Sequence, residues 1–104
     1  MAQFDIHRNL NPETRKLFPY LLNVQSDLLD VIATRVVVPL AREDVIGKPA
    51  QKFNPRFRTE GVALIMDTAE IAGVPSRVLG EVVGSASHRR GEVIAALDVL
   101  FFGI

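Results

Sequence analysis

The sequence contains no cysteine, which excludes a disulfide framework and any thiolate metal site. It has no excess of either charge: 12 Lys and Arg face 12 Asp and Glu. The balance holds in both halves, with seven basic residues against six acidic in 1–52 and five against six in 53–104. Unaided nucleic-acid binding needs a basic surplus to neutralise phosphates, so a stand-alone DNA or RNA binder is not expected. No apolar run reaches the roughly twenty residues of a membrane-spanning helix. Met1-Ala2-Gln3-Phe4-Asp5 lacks a basic stretch followed by an apolar one, so no secretory signal is expected and the cytoplasm is the expected location. The two histidines, His7 and His88, lie far apart, and neither a metal site nor a cofactor is expected. No internal repeat, low-complexity tract or linker interrupts the chain.

What is present is an ordinary globular composition, 48% apolar and 23% charged over 104 residues, enough for one domain spanning 1–104 with its own core. The first four-fifths reads as β-structure. Gln3-Phe4-Asp5-Ile6-His7 alternates polar and apolar at period two, which places His7 on the exposed side of a half-buried strand. Residues 9–19 read as a polar loop, Tyr20 to Val24 as a second strand, and Gln25 to Asp30 as a turn. Thr34-Arg35-Val36-Val37-Val38-Pro39-Leu40, β-branched on both faces, reads as a central buried strand, with a proline that suits a strand end or edge. A mobile charged connector is expected over 41–51. Strands are expected over 53–59 and 62–67 around a Glu60-Gly61 turn, and then over Ile71-Ala72 and 77–83, broken by Gly73-Val74-Pro75.

From Ser85 to His88 onward the period changes to that of a helix, with either serine placed to cap it. At about 100° per residue, Val93, Ala96, Leu97, Leu100 and Ile104 form one stripe, suited to a core. Asp98 and Phe102 fall on the opposite side with Ala95 between them, where solvent is expected. Phe101 falls near the margin of the core stripe, which favours a structural role. A greasy tail of this kind must be held against the core or against something else. Many short antiparallel strands followed by one helix imply a mainly β fold with a C-terminal helix, a small SH3-like barrel whose edge strands and shared apolar helix favour a homodimer.

Asn23-Val24-Gln25-Ser26-Asp27-Leu28-Leu29-Asp30, Arg35-Val36-Val37-Val38-Pro39-Leu40, Gly73-Val74-Pro75, Ser87-His88-Arg89 and Phe101-Phe102-Gly103-Ile104 occur in this order. Together they resemble the CcdB family of toxins, from Gln3-Phe4 to the last residue. The resemblance implies a non-enzymatic homodimer with an SH3-like barrel. Such a toxin binds the A subunit of DNA gyrase and traps the enzyme on cleaved DNA. It further implies a CcdA-like antitoxin that neutralises the toxin and, in complex with it, represses their operon and supplies most of the contact with operator DNA. The family's gyrase contacts map onto Leu28, Leu29, Asp98, Phe101, Phe102, Gly103 and Ile104. The best-studied type carries tryptophan where Phe102 stands and asparagine where Asp98 stands. Phenylalanine keeps the stacking area without an indole donor, and aspartate adds a charge that donates nothing. These departures bear on the strength and selectivity of gyrase binding, not on the fold.

Arg15 and Lys16, in the first loop, are the candidates for an acidic antitoxin segment. Two other functions stay open. An endoribonuclease on the same barrel would need an arranged base, acid and cation, for which His7, Arg56, Arg58, His88, Arg89 and Arg90 are the available parts. A degenerate toxin would retain antitoxin binding alone.

Overall fold

A computed structural model describes residues 1–104. Seven strands and one long helix follow one another along the chain. β1 (Asp5–Asn9), β2 (Tyr20–Asn23) and β3 (Thr34–Arg42) precede a single helical turn, α1 (Glu43–Ile46). β4 (Arg56–Thr59), β5 (Val62–Met66), β6 (Ala72–Pro75) and β7 (Leu79–Ser85) follow, and α2 (Arg90–Phe102) closes the molecule. All pairings are antiparallel, in the order β4-β5-β3-β2-β1-β7, with β6 also on β3. The sheet curls into a half-barrel, and the mainly β fold with a C-terminal helix is as the sequence implies.

The long β3 organises this sheet. Its Tyr20–Asn23 partner runs along one edge from Val37 to Leu40. Its other edge is shared, with β6 on Thr34–Val37 and β5 on Leu40–Arg42. Pro39 sits at the junction, and its carbonyl accepts the Asp67 N–H there. A residue's amide and carbonyl point to the same side of a strand, so the missing proline N–H falls where no ladder bond is required. That is why a proline stands in the middle of a buried strand rather than at its end.

The inward face of the sheet carries Phe4, Ile6, Leu22, Val38, Leu40, Phe57, Leu64 and Met66, and Val93 and Ala96 of α2 close over them. Removing these side chains from water is the main force holding helix to sheet, at about 25 cal/mol per Å². The opposite face is also covered: Leu21, Val37 and Leu79 form a smaller cluster, with Val74 and Val78 packed on it. β1 is therefore enclosed on both sides. His7 is buried, not exposed, and its Nδ1 lies 2.9 Å from the Gly80 carbonyl. Period-two alternation distinguishes the two faces of a strand but not whether the second one is covered.

Other boundaries move for local reasons. Gly73-Val74-Pro75 is not a break but the body of β6, in register with Thr34, Arg35 and Val36. Residues 41–51 are not wholly a connector, since β3 runs to Arg42 and α1 follows it. Phe53-Asn54-Pro55 precedes β4 as a turn tied by Asn54 N–H to the Ala50 carbonyl. At the tip of β4 and β5, Glu60 (φ 52°) and Gly61 (φ 78°) both take positive φ, the geometry of a two-residue hairpin turn. A glutamate there is strained, yet its carboxylate accepts from Tyr20 Oη at 2.7 Å and from Arg8 at 2.6 Å. Burial and that hydrogen bond push the Tyr20 phenol above its ordinary range.

α2 begins later than the serines suggest. Ser85 Oγ accepts from the Ser87 N–H just ahead of a short 3₁₀ turn, Ser87–Arg89, but no side chain caps that turn or α2, which itself starts at Arg90. Its first turn is pinned by side chains instead. The Arg89 guanidinium lies 4.2 Å over the Phe57 ring, donates to the Arg56 carbonyl and pairs with Glu92, while Arg90 lies 5.6 Å over Phe4.

Candidate functional site

α2 is apolar nearly all the way round, a composition that needs cover on more than one face. Val93 and Ala96 are fully buried, and Ile94 and Leu97 pack against the same core. The stripe read from the sequence stops there. Leu100 is only half-buried, and Ile104 is exposed because Gly103 takes φ +72° and turns the chain off the helix axis. The Gly103 N–H closes the helix on the Val99 carbonyl at 3.0 Å, and glycine takes this left-handed conformation without steric cost.

Beyond the last core contact stand two aromatic rings. Phe102 is 73% exposed, on the side away from the core, as the helical period places it. Phe101 is 61% exposed, so it does not have the structural role that its position near the core stripe suggested. The stripe has already left the sheet at that height. The rings meet edge to face, 6.5 Å between centroids, and present one aromatic surface. Asp98, one turn below Phe102, is half-buried and makes no salt bridge. Lys52 donates to the Ile104 carbonyl at 3.3 Å, tying the tail to the rim of a polar groove of about 580 Å³ between residues 49–56 and α2.

Leu28 and Leu29 lie in a 3₁₀ turn, Asp27–Leu29, that follows β2. Leu28 is 92% exposed and Leu29 about half so. Val31 and Ile32 continue the same exposed segment. These two were not singled out from the sequence, although four apolar residues within the five positions 28–32, interrupted only by Asp30, were signal enough. No hydrogen bond or ion pair within the chain joins this turn to the aromatic tail. Arg15 and Lys16 are exposed in the loop 10–19 and make no ion pair; that loop is ordered by Asn9, whose Nδ2 donates to Thr14 Oγ1 and the Phe18 carbonyl.

The residues available for nucleolytic chemistry are occupied or dispersed. His7 is buried against Gly80, Arg56 pairs with Glu43 at 3.5 Å, and Arg58 donates to the Gly61 carbonyl. Arg58, Glu60, His88 and Arg89 do share a cleft, but its volume is about 190 Å³, below the 300 Å³ or so at which small-molecule sites begin. Glu60 is engaged by Tyr20 and Arg8, and Arg89 by Glu92. The other carboxylate of note is Asp67, held above its usual range by burial and by the neighbouring Glu70 charge.

No helix is long and apolar enough to cross a membrane. A family model described as CcdB protein matches residues 3–103.

Proposed function

This chain belongs to the CcdB family, and is thus a toxin of a toxin–antitoxin system; from that premise we propose that it acts as a single domain over residues 1–104 to poison DNA gyrase in the cytoplasm. It does so as a homodimer that binds the gyrase A subunit. The observation that carries this is the pair of rings at the end of α2, solvent-facing in the free chain and fixed by a helix that is itself anchored in the core. Each protomer of a two-fold dimer contributes one such tip, matching the two-fold symmetry of the gyrase A dimer. Phe101, Phe102, Gly103 and Ile104 form the principal contact, Asp98 flanks it, and Leu28 and Leu29 supply a second apolar contact.

No chemistry by the toxin is required. A ligand that binds only the opened, DNA-cleaved conformation of gyrase stabilises it by mass action and opposes resealing. A large aromatic at the centre of such an interface contributes about 2 kcal/mol or more. Phenylalanine supplies the area and leaves no indole N–H to be satisfied in the partner. A CcdA-like antitoxin covers the toxin, with Arg15 and Lys16 meeting its acidic side chains, and the complex represses their operon, the antitoxin supplying the operator contacts.

Purified protein incubated with gyrase, ATP and supercoiled plasmid, and separately with RNA, tests this directly. Linear plasmid after denaturation and intact RNA is the expected result. Cleaved RNA beside untouched plasmid would place the protein with the endoribonucleases, and neither product would leave antitoxin binding as its role.

A further inference from the structure

Leu28, Leu29, Val31 and Ile32 crowd one short segment, and Leu28 and Val31 are more than nine-tenths exposed. An apolar segment in water folds back onto the nearest apolar surface unless something holds it off. Here the restraint is polar and lies behind the turn. Arg35, on β3, is 5% exposed; its Nη2 donates to the Asp30 carbonyl at 2.8 Å and to Asp30 Oδ1 at 2.6 Å. Gln25, also buried, donates from Nε2 to the Leu29 carbonyl at 3.1 Å and accepts the Val36 N–H at 2.9 Å. Ser26 Oγ and Asp27 Oδ1 accept from the N–H groups of Leu28 and Gln3. Every anchor reaches backbone or carboxylate, and none holds an apolar side chain.

A buried guanidinium adds little to stability, because desolvation offsets its attraction to one carboxylate, and the Nε of Arg35 has no partner at all. Stability alone gives no reason for arginine here. Geometry does: both bonds leave Nη2, and the planar guanidinium fixes the directions of that nitrogen's two N–H groups, so one rigid head holds the carbonyl and the carboxylate of Asp30 together. We propose that Arg35 is a positioning residue that holds the segment 28–32 as a preformed apolar contact surface, and that Val31 is a contact residue on it. The proposal rests on the gyrase function above, since gyrase is the partner that this surface meets.

Two measurements separate the proposal from that function. Hydrogen exchange of the free protein reads the Leu29, Asp30 and Ile32 amides, which are bonded to the Ser26, Asp27 and Leu29 carbonyls. In Arg35→Met these exchange about tenfold faster or more, the scale of losing charge-assisted hydrogen bonds, while the β2 and β3 amides keep their protection. The concentration giving half-maximal linear plasmid rises by a similar factor in Arg35→Met, and also in Val31→Ser, which retains the wild-type melting temperature and exchange pattern. If Arg35→Met fails to fold, Asp30→Asn takes its place, keeping the backbone bond and losing the ionic one. Unchanged exchange at the turn overturns the role of Arg35. Wild-type trapping by Val31→Ser overturns the contact. If the wild-type protein itself linearises no plasmid, the gyrase function and the Val31 contact fall together, and exchange still decides whether Arg35 holds the turn.

Discussion

At the scale of single residues, function is expected from side chains left where folding gives them nothing to do. Phe102→Ala is expected to preserve stability within about 0.5 kcal/mol, because the ring is largely exposed and belongs to neither core cluster. It is expected to raise the concentration needed to trap gyrase by thirtyfold or so, the equivalent of about 2 kcal/mol; a melt and a plasmid titration on one preparation check both halves. Asp67 makes the opposite kind of prediction. Its folded pKa is raised, by burial first and by Glu70 second. Such an acid contributes stability that is full at low pH and is lost as pH rises through the folded value. Asp67→Asn should therefore melt higher than wild type at pH 7, with the difference closing below about pH 4, where both carry an uncharged side chain. Melts across that range would show it. The exposure of Phe102 was legible from helical periodicity alone, because one angle fixes which face a residue takes. The burial of His7 was not, because its cover comes from the Leu21–Val37–Leu79 cluster, on strands distant in sequence.

At the scale of elements, α2 was legible as a helix, but the serine cap expected for it is absent. Arginines replace the hydroxyl: Arg89 on Phe57 and Glu92, and Arg90 on Phe4, fix the first turn by tertiary contact. A helix held this way depends on its buried face. Val93→Ala should cost about 2 kcal/mol, read as a lowered denaturant midpoint with an unchanged slope. β6 illustrates the reverse failure. Gly73-Val74-Pro75 has the local chemistry of a turn, yet β3 offers a free edge on Thr34–Val37 and the segment fills it. Tertiary pairing outweighed local propensity, as it also did at Pro39. The turn at 27–29 was legible from Gln-Ser-Asp; the apolar run continuing to Ile32 was there to be read as well, but the buried frame that holds it outward was not, because Gln25 and Arg35 reach it from two different strands' ends.

At the scale of the whole molecule, a half-barrel and an apolar helix leave surface that one chain does not cover. A homodimer in solution is the expected outcome, with a light-scattering mass twice the chain's 11.5 kDa; a monomer at micromolar concentration would remove the two-fold match to gyrase. Charge balance and the absence of cysteine are sums over the chain and need no structure; the run of strands closing in a helix was readable too, but not α1 or β6 within it. The curl of the sheet and the sharing of the β3 edge were not, because they depend on pairings between distant segments. Under the proposed function the exposed rings act by occupancy, so their effect is expected in the partner enzyme. The most direct measurement compares linear plasmid formed by gyrase with wild-type protein and with folded Phe102→Ala. Linear DNA with the first and almost none with the second at equal concentration is predicted, and equal amounts with both would contradict the account.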